Sequence, residues 1–137
     1  MIEVRVKSII QTPHGCALLI GNEEKTFIIH VSSGIGMAIS MLARDIKRAR
    51  PLTHDLIGSI LKGFNVKLDK VVINDLRDNT FFARIYLYSE NGKYKKIFEI
   101  DARPSDSIAL AMQQKGRVYV EEKVFDQVED IGKLFEK

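Results

Sequence analysis

Ile100-Asp101-Ala102-Arg103-Pro104-Ser105-Asp106-Ser107-Ile108-Ala109-Leu110-Ala111 reads as a strand that runs straight into a buried helix. Phe98 and Ile100 alternate with polar neighbours, the period of a half-buried strand. Pro104 suits a first helical position, because its ring pre-sets the backbone angle and its missing N–H leaves no hydrogen bond unmade there. Ser105 and Asp106 then fall in the first turn, where oxygen acceptors and negative charge meet unpaired N–H groups and the positive end of the helix dipole. Ile108 to Met112 is apolar on nearly all sides, which predicts a buried helix. The junction therefore gathers two carboxylates, Asp101 and Asp106, around one guanidinium, Arg103.

Working outward, the 137 residues suit a single domain over 1–137, with hydrophobic content of 45% and charged content of 28% giving a soluble, core-forming chain. Met1 to Lys7 alternates apolar and charged residues, as a strand does and a signal peptide does not. No apolar run approaches the roughly 20 residues of a membrane span. The lone Cys16 excludes an internal disulfide and a cysteine-based zinc site, and predicts a cytoplasmic location. A net charge of +3 permits nucleic-acid binding without requiring it.

Along the chain, strands are predicted over Glu3 to Ile10, Cys16 to Ile20 and Thr26 to Val31, with turns at Thr12 to Gly15 and Gly21 to Glu24. Ser32-Ser33-Gly34 is read as a break, with a helix from Gly36 that clusters Met37, Ile39, Met41, Leu42 and Ile46 on one side. Thr53 is the expected N-cap of a second helix ending near Gly63. A strand over Val66 to Ile73 slips in its alternation at Asp69-Lys70, which predicts a bulge. After a turn at Leu76 to Asn79, Thr80 to Tyr88 alternates cleanly, and Asn91-Gly92 predicts a hairpin to a return strand over Lys95 to Ile100. Gly116 is the expected stop of the helix that begins at Pro104. A short strand over Arg117 to Val120 and a helix over Val124 to Phe135 complete the chain.

The fold class is thus α+β: two antiparallel three-stranded meanders, each followed by helices. Phe27-Ile28-Ile29 slides onto Phe98-Glu99-Ile100, Ala38 onto Ala109 and Met41 onto Met112, the pattern of an internal pseudo-repeat. In that alignment Ile35 is the counterpart of Asp106.

Two segments go beyond periodicity. Arg50-Pro51-Leu52-Thr53-His54-Asp55-Leu56 and Asp101-Ala102-Arg103-Pro104-Ser105-Asp106-Ser107-Ile108-Ala109-Leu110-Ala111, in this order and spacing, resemble the bifunctional nuclease (BFN) family. So does the hairpin from Asp69-Lys70-Val71-Val72-Ile73 through Asp78-Asn79-Thr80-Phe81-Phe82-Ala83. The resemblance covers nearly the whole chain. It implies an α+β domain, often oligomeric, acting on RNA and DNA, without a settled catalytic mechanism. The family usually carries a Trp-Ile-Gly segment and then a Glu before its first long helix. His30-Val31-Ser32 and Ile35 stand there in this chain, which puts activity in question.

Phosphodiester hydrolysis needs an activated water, stabilisation of charge on the phosphoryl oxygens and help for the leaving oxygen. Asp101 and Asp106 are the candidate acid pair, positioning a divalent cation (Mg²⁺ or Mn²⁺) or activating water; the plainer reading has Asp106 capping its helix and pairing with Arg103. His54 is the candidate proton carrier, or simply a residue at a helix start. Arg103 and Arg50 are the candidate phosphate grips. Asp75, Asp78 and Asn79 read as turn residues, His30 and His14 as structural, and Cys16 as a buried thiol. Arg44, Lys47, Arg48 and Arg50 form one basic run, and Lys93, Lys95 and Lys96 another, beside Tyr86, Tyr88 and Tyr94 that are able to stack on bases. The expected function is cleavage of RNA or DNA with little sequence preference. The alternative is a non-enzymatic module that self-associates or binds nucleic acid.

Overall fold

The computed structural model describes residues 1–132. Its elements are β1 (Ile2–Thr12), β2 (Gly15–Gly21), β3 (Thr26–Val31), α1 (Ser33–Ala43), α2 (Thr53–Gly63), β4 (Lys67–Arg77), β5 (Thr80–Asn91), β6 (Tyr94–Ala102), α3 (Pro104–Gln114), β7 (Arg117–Val120) and α4 (Glu122–Gln127). The chain is mixed α+β, with one seven-stranded sheet in the order β3-β2-β1-β7-β4-β5-β6.

Both meanders form. β1, β2 and β3 pair antiparallel in sequence, as do β4, β5 and β6. What the local pattern does not reveal is how they join. The four residues of β7 pair antiparallel with β1 and parallel with β4, so the shortest strand closes the seam between the two meanders. Val118 and Val120 on this strand are buried in the shared core. The expected slip in β4 is a register shift between Leu68 and Lys70, and a second one follows between Ile73 and Asp75. This second shift lets β4 continue to Arg77, so the turn shrinks to Asp78 and Asn79, both at positive φ.

One cluster of buried apolar side chains draws on both meanders and on α1, α3 and α4, from Val4 and Leu18 through Ile39, Ile73 and Ile85 to Val124, with Ile57 and Leu61 of α2 packed partly buried against it. At its centre lies α3: from Pro104 to Ala111, every residue except Asp106 is buried. Both α1 and α2 pack on α3, which itself lies against β4 and β5. Ala83, Ile85 and Leu87 are buried on that face of β5.

Several local expectations are corrected. Helix α1 starts at Ser33 instead of Gly36, because the Ser32 hydroxyl accepts the Ile35 N–H and caps it. Met37 points outward, 65% exposed, while Ile39 is the residue of that helix driven fully into the core. The N-cap of α2 is Leu52, one residue before Thr53. The Asp55 carboxylate reaches back to accept the Leu52 N–H at 2.8 Å, which sets the boundary. Helix α2 ends at Gly63 as expected, with Asn65 in the left-handed conformation beyond it; α3 ends at Gln114, and Lys115, before Gly116, takes the left-handed position there. The hairpin at Asn91-Gly92 forms with Gly92 and Lys93 as its two turn residues, Asn91 pairing with Tyr94. Helix α4 is shorter than expected: it ends at Gln127, and the chain then returns to β3, where the Ile131 N–H is bonded to the Thr26 carbonyl at 2.8 Å. The remainder of the predicted helix, 133–135, lies outside the described residues.

Candidate functional site at the starts of two helices

Helices α2 and α3 bring their first turns together. His54, the second residue of α2, is buried to 3% exposure, and its Nε2 lies 3.2 Å from Asp106 Oδ1. Arg103, the N-cap of α3, donates from Nε to the other oxygen, Asp106 Oδ2, at 2.8 Å. The result is a chain of polar contacts, His54–Asp106–Arg103, graded from core to solvent: the Arg103 side chain is 70% exposed and that of Asp106 33%. Ser107 Oγ donates to the Arg103 carbonyl at 2.9 Å and holds the N-cap in place from within the helix.

Charge settles the roles of these atoms. Burial works to raise the Asp106 pKa, but the hydrogen bonds from Arg103 and His54 and their charges outweigh it, so the carboxyl sits below its usual range. Asp106 is therefore ionised at neutral pH and only accepts, which assigns the proton to His54 Nε2. His54 Nδ1 is then left buried, with no hydrogen-bond partner among the described residues. Such a group costs about 1–3 kcal/mol, and packing alone gives no reason to retain it.

A second clamp fixes α2 itself. Arg48 grips Asp55 through Nε at 2.6 Å and Nη2 at 2.5 Å, spanning the Pro51 loop. The Arg48 hydrogen bond, aided by those from the Leu52 N–H and Gln113, holds the Asp55 carboxyl below its usual range against the opposing effect of burial. Gln113 lies on α3, so this clamp also ties α2 to its neighbour.

The other sequence candidates are placed elsewhere. Asp101 pairs in register with Arg84 and is exposed, on the face of the sheet opposite to Ala102 and Ala83 and hence away from α3. Asp101 and Asp106 thus share no site in this arrangement, and both oxygens of Asp106 already accept hydrogen bonds. Among the described residues, no group of three or more His, Cys, Asp or Glu is arranged to hold a metal ion. The donor set does not fit a divalent-cation cage. Arg50 is exposed in the loop before α2, in a groove with Lys47, Arg48 and Asp55. Arg103 lines a different groove of about 360 Å³, together with His30, Asn79, Thr80 and Ser105.

Sequence reasoning paired neither His54 with Asp106 nor Arg48 with Asp55, and it passed over His30. His30 is the exposed imidazole of the Arg103 groove. Its position in an ordinary strand carried no signal, since only the curl of the sheet brings β3 beside the start of α3. The ring pair Phe27–Phe81, with centroids 5.8 Å apart, marks where β3 meets the β4–β5 turn. Ile35, in the first turn of α1, packs partly buried against the core, so the starts of α1 and α3 are chemically unlike.

Comparison with known proteins adds the family. The model of the bifunctional nuclease domain matches residues 17–131. Two curated relatives, the uncharacterized proteins Rv1829 and MT1877 of Mycobacterium tuberculosis strains H37Rv and CDC 1551, are each 34% identical over 131 residues. The aligned region covers 93% of this chain and 76% of theirs.

Proposed function

From the premise that this chain belongs to the bifunctional nuclease domain family, we propose that it hydrolyses phosphodiester bonds of RNA or DNA, with little sequence preference, in the groove where Arg103 is exposed. The observation that carries this reading is the His54–Asp106–Arg103 chain. Asp106 holds Arg103 through Nε alone, so the two terminal nitrogens of the guanidinium are left to grip a phosphate, a geometry suited to its oxygens. The positive end of α3 adds to the pull on negative charge.

His54 acts through Asp106 and is a positioning residue in this reading, because it is buried. His30 is the imidazole that a substrate in the groove meets, and it serves the proton transfer as water adds to phosphorus and the P–O bond to the leaving oxygen breaks. Arg50 and its basic neighbours extend the hold on the nucleic-acid backbone. No step is routed through a metal. A contribution from Mg²⁺ or Mn²⁺, with Asp101 as a ligand, is read by the metal arms of the assay. A cytoplasmic site of action belongs to the same proposal, resting on the lone Cys16, which is a free thiol in the core. So does the pseudo-repeat, supported by the matching 11-residue helices α1 and α3, each following a meander; superposition of the halves tests it.

The experiment is a nuclease assay on purified protein with single-stranded RNA and DNA, in Mg²⁺, Mn²⁺ or EDTA, with Asp106→Asn and Arg103→Ala run beside the wild type. Cleavage lost in both variants supports the reading. Equal cleavage by all three proteins sinks it.

One observation favours a second reading, a module that binds nucleic acid without cutting. A carboxylate held below its usual pKa range, with both oxygens engaged, is a poor base. Salt-sensitive binding without turnover in any metal condition would select it.

A further inference from the structure

We propose that the face of the sheet carrying Tyr86 and Tyr88 is a stacking platform for single-stranded nucleic acid, a contact surface separate from the Arg103 groove. It shares a nucleic-acid ligand with the nuclease reading and does not require cleavage. Ala83, Ile85 and Leu87 of β5 point into the core, so Arg84, Tyr86 and Tyr88 point to the opposite face, where they are half-buried. Lys67 and Ile97 stand in register on either side of Tyr88, and Lys70 and Glu99 on either side of Tyr86. The two tyrosines are two residues apart on one strand, about 6.8 Å. Each ring lies under an ammonium: Lys70 Nζ is 4.9 Å from the Tyr86 centroid, and Lys95 Nζ is 4.5 Å from that of Tyr88. The Tyr86 hydroxyl donates to Glu99 Oε1 at 3.2 Å, which fixes that ring by its edge.

Charge selects the occupant. At this end of the sheet Lys67, Lys70, Lys93, Lys95 and Lys96 outnumber Asp69 and Glu90. The next acid along the face, Glu99, is bound to Arg84 Nη1 at 3.2 Å. Cations beside aromatic faces match a single strand, whose phosphates meet the lysines and whose bases stack on the rings. A duplex holds its bases already stacked on one another, so it offers these rings nothing. Stacking of a base is stronger than an exposed cation–π contact, and a displaced ammonium on its flexible stem turns to the phosphate. Every base has a face to stack, so the platform adds hold without sequence preference. A cavity of about 210 Å³ lined by Asn65, Lys67, Tyr88 and Glu90 gives room for a base edge beside the second ring. β6 then leads from the platform towards the groove: it ends at Ala102, and Arg103 follows, about 20 Å along the chain from Ile97.

Fluorescence anisotropy with labelled oligothymidylate and oligouridylate, in EDTA, tests the proposal, with circular dichroism to confirm that each variant folds. The wild type is expected to bind. Tyr86→Ala and Tyr88→Ala are each expected to weaken binding about tenfold, and Lys95→Ala to reduce the salt slope by about 0.7, one phosphate contact. The chain has no tryptophan, so Tyr88→Trp supplies a single indole that reports on stacking directly. This variant is expected to keep its affinity and to lose emission as a base covers the ring, and the quenching is expected to survive Arg103→Ala. A wild type that does not bind overturns the proposal. So does an affinity unchanged in both alanine variants, or an indole emission indifferent to saturating oligonucleotide. Cleavage by a protein whose indole is not quenched overturns the platform and leaves the nuclease reading standing; quenching without cleavage in any metal condition does the reverse.

Discussion

His54 and Asp106, residues of two different helices, meet at 3.2 Å between Nε2 and Oδ1, the histidine sealed in the core and the aspartate one-third exposed to solvent. This contact links the hydrophobic interior to the exposed Arg103.

Replacing His54 separates function from folding. Its Nδ1 is buried without a partner among the described residues, so the imidazole is a costly way to fill the space. His54→Leu removes that orphan atom, and Asp106 keeps Arg103 and its access to water. The expected outcome is a denaturation free energy within about 1.5 kcal/mol of wild type, with activity or nucleic-acid affinity reduced. A loss of about 3 kcal/mol or more, in the range of broken buried pairs, would mean that the histidine is there for stability.

Acid should unfold the protein through its clamped carboxyls. Asp55 and Asp106 both sit below their usual range in the folded state. A depressed folded pKa contributes stability that is fully present above the unfolded value, about 3.9 for Asp, and is lost as pH falls through the folded value. The melting temperature is expected to be insensitive to these groups from pH 7 to about 5 and to fall below about 4. Asp55→Asn should lower stability at neutral pH and flatten the acid limb. An unchanged limb would show that the Arg48 clamp contributes nothing to it.

Nucleic-acid binding, if centred on Arg103, should carry its mark in the salt dependence. Each phosphate contact contributes a slope of about −0.7 for single strands. Arg103→Ala is expected to reduce the magnitude of the slope by about one contact, and Arg50→Ala to do the same only if the strand reaches the second groove. A slope unchanged in Arg103→Ala would move the binding surface elsewhere.

Helix α1 is set close to β2 by the absence of a side chain. A Cβ at Gly36 would lie about 2.4 Å from Cys16 Sγ and 2.7 Å from its Cβ. Gly36→Ala is expected to destabilise by about 1–3 kcal/mol through overpacking, measured by urea denaturation. Cys16→Ala removes the nearer obstacle, so the double variant should recover part of the loss. Additive losses would show that the clash lies with backbone instead.

Much of the fold is legible in the chain, because it is written in short-range terms. The alternation of Phe81, Ala83, Ile85 and Leu87, the fixed angle of Pro104 and the turn pair Asp78-Asn79 each act on their immediate neighbours. They define the two meanders and the buried helix between Pro104 and Gln114. Local reading erred where a side chain reached a few residues further than propensity accounts for. Asp55 set the start of α2 at Leu52, and the Ser32 hydroxyl set that of α1.

By itself, then, the sequence determined the α+β class, the order of the strands along the chain, the family motifs at the two helix starts and the residues Arg103, Asp106 and His54 as candidates. Only the tertiary structure decided that His54 and Asp106 touch, that Asp101 faces away from them, that His30 shares a groove with Arg103 and that β7 joins the two meanders. The reason is one of range. Periodicity and capping are set by atoms within a turn or a hairpin. His54 and Asp106 meet because α2 is packed on α3, which itself lies on a sheet whose strand order depends on every element at once.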